Sequence, residues 1–332
     1  MTRRGFILVS LLLLLVGFGV FMLCKKKPGS ASLSVAGGVE KPILQGAKKS
    51  QPPQVKSLSP LSPSPVRPPL EGKVAEEHLG DLPSIDRIFE LFTTGPLKLP
   101  IVQTVTYSSQ VSWLKGRAAW VADYAAHYHT SRHFIARSLN GRPDYFSQVV
   151  QEGSRFNVFV PDKQIEFYLV VNLSRLQMVL YYFDIGTNER VLLKTYRVGA
   201  GKSDPSSLKC VTPLGQFELG DRVAIYKPGT VGFHGGQEVE MITVFGTRWL
   251  PFGEGLGIQG APWVKNEAGT LVENQSVIGK YLSEGDIYLE HEALEELFAI
   301  VVTKPTHVQI VKNFSESQLP GRETATPRKA GT

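Results

Sequence analysis

The sequence predicts a mainly β protein: a β-sandwich or closed sheet with one helix in its C-terminal half. A small strand–helix–helix–strand unit and an apolar N-terminal helix precede it. Three observations carry this expectation. Between residues 165 and 311, short runs of β-branched and aromatic residues alternate with turn signals, the pattern of many short strands. One stripe at helical spacing, Ala293, Leu294, Leu297, Phe298 and Val301, interrupts them, with Glu292, Glu295 and Glu296 expected to face outward. Residues 5–24 form an apolar run long enough to cross a bilayer.

That run carries no charged side chain and is bracketed by Arg3-Arg4 and Lys25-Lys26-Lys27. Twenty helical residues span about 30 Å, the thickness of a bilayer's hydrocarbon core. Its end, VFMLCKKK, lacks the small residues of a signal-peptide or lipoprotein cleavage site, so residues 1–27 read as an uncleaved anchor. Basic residues on both flanks leave its orientation open. Residues 28–83 read as a disordered linker. Nine prolines fall within 28–75, and so little apolar surface cannot offset the entropy of ordering the chain. Fully extended, that tether reaches on the order of 150 Å.

The net charge of +6 belongs to these flanks. Residues 1–27 hold +5, residues 28–75 hold +4 and residues 315–332 hold +1, which leaves −4 on residues 76–314. A phosphate-tracking domain carries its basic excess on the folded part, so nucleic acid is not expected as a partner. Of the two cysteines, Cys24 ends the apolar run and Cys210 is alone in the foldable part. One thiol forms neither an internal disulfide nor a cysteine zinc cluster, and no cofactor is expected.

Residues 84–160 form the first compact stretch. Ile88, Phe89, Leu91 and Phe92 are spaced for a short helix after Ser84-Ile85-Asp86. An extended VQTVTY follows, then the helical AAWVADYAAHY and HFIARSLNG, then a strand RFNVF entered through Gly153-Ser154-Arg155-Phe156. This order resembles a LysM module, which binds glycans containing N-acetylglucosamine. The module's usual Gly-Asp-Thr turn is missing, and a plain packing domain is the alternative. His127, His129 and His133 lack a nearby carboxylate or cysteine and cross a helix break at Thr130-Ser131, so no metal site is read from them.

Residues 161–314 read as the β domain and residues 315–332 as a disordered tail. IEFYLVVNL and LQMVLYYF pair as a hairpin across Ser174-Arg175, and DIGTNE turns into VLLKTYRV. QFELGDRVAIY, VEMITVF and HVQIV are further extended segments.

The order of motifs in this domain is specific. LVVNLSRLQMVLYY, TYRVGAGK, TPLGQFEL, FGTRWLPF, GLGIQGA, then IGKYLSEGDIYL followed by the helix and HVQIV, resembles the YkuD family of L,D-transpeptidases. The resemblance covers residues 165–311. It implies a protein that works on peptidoglycan outside the cytoplasmic membrane, and thus an anchor with its N-terminus inside. The implied localisation is a single-pass inner-membrane protein with its folded part in the periplasm. Glycan strands and stem peptides are the implied partners, other envelope proteins a further one.

The family's chemistry uses a cysteine in a Ser-His-Gly-Cys-hydrophobic-Arg motif as acyl nucleophile, a histidine in an upstream His-Gly motif as proton shuttle, and backbone amides for the oxyanion. Laid onto this chain, the motif falls on Ser283-Glu284-Gly285-Asp286-Ile287-Tyr288. Ser283, Gly285 and the downstream apolar residue are retained, as is Gly260 of the upstream motif. The nucleophile position is Asp286, its neighbouring histidine is Glu284, the arginine is Tyr288 and the upstream histidine is Gln259. Glutamine does not titrate near neutral pH, and a carboxylate is a poor acyl nucleophile whose product is a reactive anhydride. The expected protein is therefore a non-catalytic relative that binds glycan and stem peptide, with Trp249, Trp263 and Tyr288 lining the cleft.

The alternative is a divergent transpeptidase or hydrolase. Cys210 could supply a relocated nucleophile, with His234 as the one loop histidine at hand. Glu284 and Asp286, two apart on an extended segment, could instead form an acid/base pair for glycan cleavage.

Overall fold

The computed structural model describes residues 84–142, 148–204 and 209–324. The expected anchor and linker lie outside the described residues, and among those described no helix is long and apolar enough to cross a membrane. In chain order, α1 (Phe89–Phe92), β1 (Val102–Thr106), α2 (Val121–His127), α3 (Arg132–Asn140) and β2 (Arg155–Phe159) come first. Then follow β3 (Ile165–Asn172), β4 (Gln177–Asp184), β5 (Glu189–Arg197), β6 (Ala200–Gly201), β7 (Ser203–Asp204) and β8 (Lys209–Cys210). Next are β9 (Gly215–Glu218), β10 (Ala224–Ile225), β11 (Val231–His234), β12 (Gln237–Glu240) and α4 (Ile242–Phe245). The second half holds β13 (Arg248–Phe252), β14 (Leu256–Gly260), β15 (Trp263–Lys265), β16 (Leu271–Glu273), β17 (Tyr281–Ser283) and β18 (Ile287–Leu289). The helix α5 (His291–Val301) and strands β19 (Thr306–Val311) and β20 (Arg322–Glu323) complete it.

The fold is mainly β, as the strand pattern implies. A six-stranded sheet runs β20-β5-β4-β3-β19-β9 and a four-stranded sheet runs β10-β13-β14-β18. Single bridges, Leu219 to Phe252 and Gly199 to Tyr288, connect the two along their flanks. Between them lies one core. Phe167, Leu169 and Val171 of β3 point inward with Met178 and Leu180 of β4, against Leu250, Phe252, Ile258, Ile287 and Leu289 of the second sheet. The stripe Leu294, Leu297, Phe298 and Val301 of α5 fills the same core. The opposite face of β3 and β4 is also covered, with Val170, Val179 and Tyr181 packed beneath Phe314 and Leu319. Burial on both faces explains why these strands read as continuous apolar runs rather than alternating ones.

Residues 84–160 fold as strand, helix, helix, strand, with β1 antiparallel to β2. Ser131 caps α3 by accepting the Phe134 N–H at 2.9 Å, and its hydroxyl donates to the Ala299 carbonyl of α5 at 2.7 Å. One side chain thus ends the α2–α3 turn and docks the unit on α5. His129 adopts φ +47° in that turn, which is the helix break expected there. Leu91, Ile101, Phe134 and Phe159 enter the same core as the two sheets.

Three expectations are corrected. VEMITVF is extended only at its start, and its second half is the short helix α4. Glu295 does not face outward: it is 5% exposed and pairs with Arg248 of β13 at 2.8 Å, because α5 is covered on that side by the second sheet. Glu296 is also turned inward, onto Lys194 of β5 at 2.8 Å, while Glu292 is exposed as expected. Finally, residues 315–324, assigned to a disordered tail, lie along the six-stranded sheet. The Gln309 amide accepts the Gln318 N–H at 2.9 Å and donates to the Gln318 carbonyl, and β20 pairs with β5.

The Arg248–Glu295 pair yields the first prediction. Removing one partner of a buried pair strands the other charge, so Glu295→Ala costs about 3–5 kcal/mol in equilibrium urea unfolding. The double variant Arg248→Met/Glu295→Leu recovers most of that loss. A single-variant loss below about 1 kcal/mol would mean a solvated pair.

Candidate functional site

β14 and β18 lie side by side and parallel, with Ile258 opposite Ile287, Gln259 opposite Tyr288 and Gly260 opposite Leu289. Two motifs that are far apart in sequence therefore share one sheet. β13 runs along the other side of β14 and puts Trp249 opposite Gln259. Gly260 permits a tight crossing, because its backbone meets that of Gly246, where a Cβ would lie 2.6 Å from the Gly260 Cα.

The turn from β17 into β18 is held by two buried hydroxyls. Ser283 donates to the Asp286 carbonyl at 2.6 Å and accepts the Gly285 N–H at 3.1 Å. Thr212 accepts the Gly201 N–H at 2.7 Å and donates to the Gly285 carbonyl at 2.9 Å. Gly285 has φ +132°, a conformation that side chains rarely adopt. The two carboxylates on this turn have different partners. Glu284 has an 83% exposed side chain paired with Lys202, whose charge draws its carboxyl below the usual range. Asp286 is half-buried, and its Oδ1 accepts the Gly257 N–H at 2.8 Å. Burial pushes the Asp286 carboxyl up, while that hydrogen bond and the nearby His234 pull the other way. The two carboxylates thus sit in different surroundings, one exposed and one half-buried.

Gln259 is 2% exposed and its amide donates to the Val244 carbonyl at 3.3 Å. Burial raises the phenol of Tyr288, the charge of Asp286 adds to the effect, and a hydrogen bond with Gln259 opposes it. The indole of Trp249 covers Gly257, where a Cβ would lie 2.1 Å from Nε1. Gln259, Asp286, Tyr288 and Trp249 therefore meet around β14. Trp263 opens the β15–β16 hairpin and lies edge-on to His291, with ring centroids 6.0 Å apart.

One residue of the site was not legible as such. Thr212 reads in sequence only as part of a strand entry, and its link to Gly285 spans 73 positions. His234 sits on the β11–β12 hairpin, exposed and edge-on to Phe245 at 5.3 Å, within electrostatic reach of Asp286. Cys210 pairs with Ser203 through its backbone, and its side chain lies outside the described residues. The three upstream histidines do not converge. His127 stacks on Trp113 at 4.2 Å, His133 is buried against Phe298, and among the described residues no group of three or more His, Cys, Asp or Glu could hold a metal ion.

No protein-family model matches the chain, and no curated protein matches it. Among solved structures, it is similar to Bd1075 of Bdellovibrio bacteriovorus, with a TM-score of 0.30 and 12% identity over 44% of this chain and 48% of that one. It is also similar to the helical cell shape determining protein Pgp2 of Campylobacter jejuni, with a TM-score of 0.30 and 17% identity over 48% of this chain and 51% of that one. The matched part spans about half the length of each. At this level of likeness no function is carried over from either protein.

Two measurements check the site. Thr212→Val keeps the shape of the side chain and removes its hydrogen bonds to the Gly201 N–H and the Gly285 carbonyl, costing about 1–3 kcal/mol in urea unfolding. Asp286 is the pH-dependent member. Its folded pKa is raised, so its contribution to stability is complete below the unfolded value near 4 and is lost as pH rises through the folded value. Asp286→Asn therefore raises the unfolding midpoint at pH 7, with a gain that vanishes below about pH 4. A gain that is the same at both pH values contradicts the assignment.

Proposed function

We propose that this chain is a membrane-anchored envelope protein that binds peptidoglycan, related to the YkuD-type L,D-transpeptidases but without their acyl transfer. One observation carries the reading. Where the family places its thiolate, Asp286 holds a carboxylate against the Gly257 N–H, and where it places its histidine, Gln259 holds a buried amide. A carboxylate attacking an amide carbonyl gives an anhydride, and the amide of glutamine cannot shuttle the proton that the leaving amine needs. Loss of a nucleophile and base that act together typically costs on the order of 10⁶ in rate.

The turn geometry supports a retained binding role. Ser283, Gly285 and Gly260 still shape the β14–β18 surface, and Trp249 and Tyr288 flank it. In the same reading the β1–α2–α3–β2 unit is the LysM-like glycan-binding part. It shares its core with the two sheets, and in this reading that packing would hold the glycan-binding and peptide-binding surfaces at a set spacing. Residues 1–27 anchor the chain in the inner membrane, and the Pro-rich linker extends the folded part into the periplasm. A rewired hydrolase is the second reading, and the electrostatic pull of His234 on the Asp286 carboxyl is what favours it.

The test pairs binding with turnover. The purified full chain, mixed with peptidoglycan sacculi and centrifuged, co-sediments with them. The same protein incubated with muropeptides leaves their mass spectrum unchanged. Failure to co-sediment overturns the binding reading. Cross-linked, exchanged or trimmed products that disappear in Cys210→Ala or Asp286→Ala establish the second reading instead.

A further inference from the structure

A second cleft shares no residue with the β14–β18 surface. Its cavity, of about 420 Å³, is lined by Asp86, Phe89, Phe92, Arg137, Gly141 and Glu296. Arg137 occupies the last turn of α3, and its Nε and Nη2 atoms are buried there with no hydrogen-bond partner. The anions around it are already taken. Lys194 Nζ stands 2.9 Å from Asp86 and 2.8 Å from Glu296, and Glu296 also accepts the Tyr196 hydroxyl at 3.0 Å. Glu90, on the adjoining helix, is held by both arms of Arg87 at 2.9 and 2.8 Å. Arg137 is thus the one cation of this group left without an acceptor.

We propose that this cleft binds a ligand carboxylate, with Arg137 as its anchor. Nitrogen donors removed from water and left unpaired are costly, and native proteins seldom keep them so. The guanidinium fork matches a carboxylate in two parallel hydrogen bonds, which a lone ammonium cannot reproduce. The cavity volume is at the scale of small-molecule sites and accommodates a body of amino-acid or monosaccharide size. Phe89, 57% exposed, offers that body an apolar wall, with Phe92 behind it. Two sources present this chemistry: the C-terminus of a peptide and the acid group of a sugar.

Ligand-observed NMR titration of the purified full chain tests the proposal with N-acetyl-D-alanine and with D-glucuronate, each beside its methyl ester. Saturable binding of at least one acid is expected, with its ester about tenfold weaker. The acid that binds identifies the source. Arg137→Gln weakens binding by about tenfold or more, and Arg137→Lys restores part of it. Saturation by neither acid, or equal affinity in Arg137→Gln, overturns the proposal. Circular dichroism checks that the variant folds. Should it not, Phe89→Ala at the exposed rim replaces it: weaker binding of the acid supports the site, and unchanged binding overturns it.

Discussion

Two buried hydroxyls, those of Thr212 and Ser283, hold the part of the molecule on which its chemistry depends. Between them they receive the N–H groups of Gly201 and Gly285 and donate to the carbonyls of Gly285 and Asp286. Each serves as donor and acceptor at once. The backbone at Gly285 is buried, with φ +132°, and falls between β17 and β18, so the hydroxyls serve its N–H and its carbonyl. With the hydroxyls in place the turn has one shape. β18 then lies parallel to β14, and the side chains of Asp286 and Tyr288 fall beside Gly257 and Gln259.

The same rigidity defines what the surface can do. A turn built in this way presents whatever side chain stands at position 286 to the N–H of Gly257, in half-buried surroundings. A carboxylate there accepts that hydrogen bond and suffers from burial, and it has no titrating partner on β14 to exchange a proton with. Shape and reactivity are separable here. The hydroxyls and glycines determine the first, and four side chains, Gln259, Glu284, Asp286 and Tyr288, determine the second. Glu284 shows the difference most plainly, since the turn sends it into solvent toward Lys202.

Much of the architecture was legible in the sequence where local chemistry alone decides it. The β3–β4 hairpin follows from two β-branched and aromatic runs around Ser174-Arg175, and α5 from its apolar stripe. Long-range partners account for the rest. VEMITVF is β-prone throughout, yet its last four residues coil into α4, with the Met241 carbonyl accepting the Phe245 N–H at 2.9 Å. Glu295 reads as a surface charge on any helical wheel until Arg248, 47 positions away, is found opposite it. Residues 315–324 look like a polar tail, and only the amide of Gln309 shows why they lie on the sheet. In the site, the glycines and Ser283 marked Gln259 and Asp286 as neighbours. Thr212 carried no such mark.

On the proposed reading, a surface with the shape of an acyl-transfer site but without its reactive groups should accept them. The most direct measurement compares the wild-type full chain with a variant carrying Asp286→Cys, Glu284→His, Tyr288→Arg and Gln259→His on the same muropeptides, followed by mass spectrometry. The account predicts an acyl adduct on residue 286 or exchanged peptides from the substituted chain alone. Equal product from the unsubstituted chain, with its aspartate and glutamine in place, would contradict it.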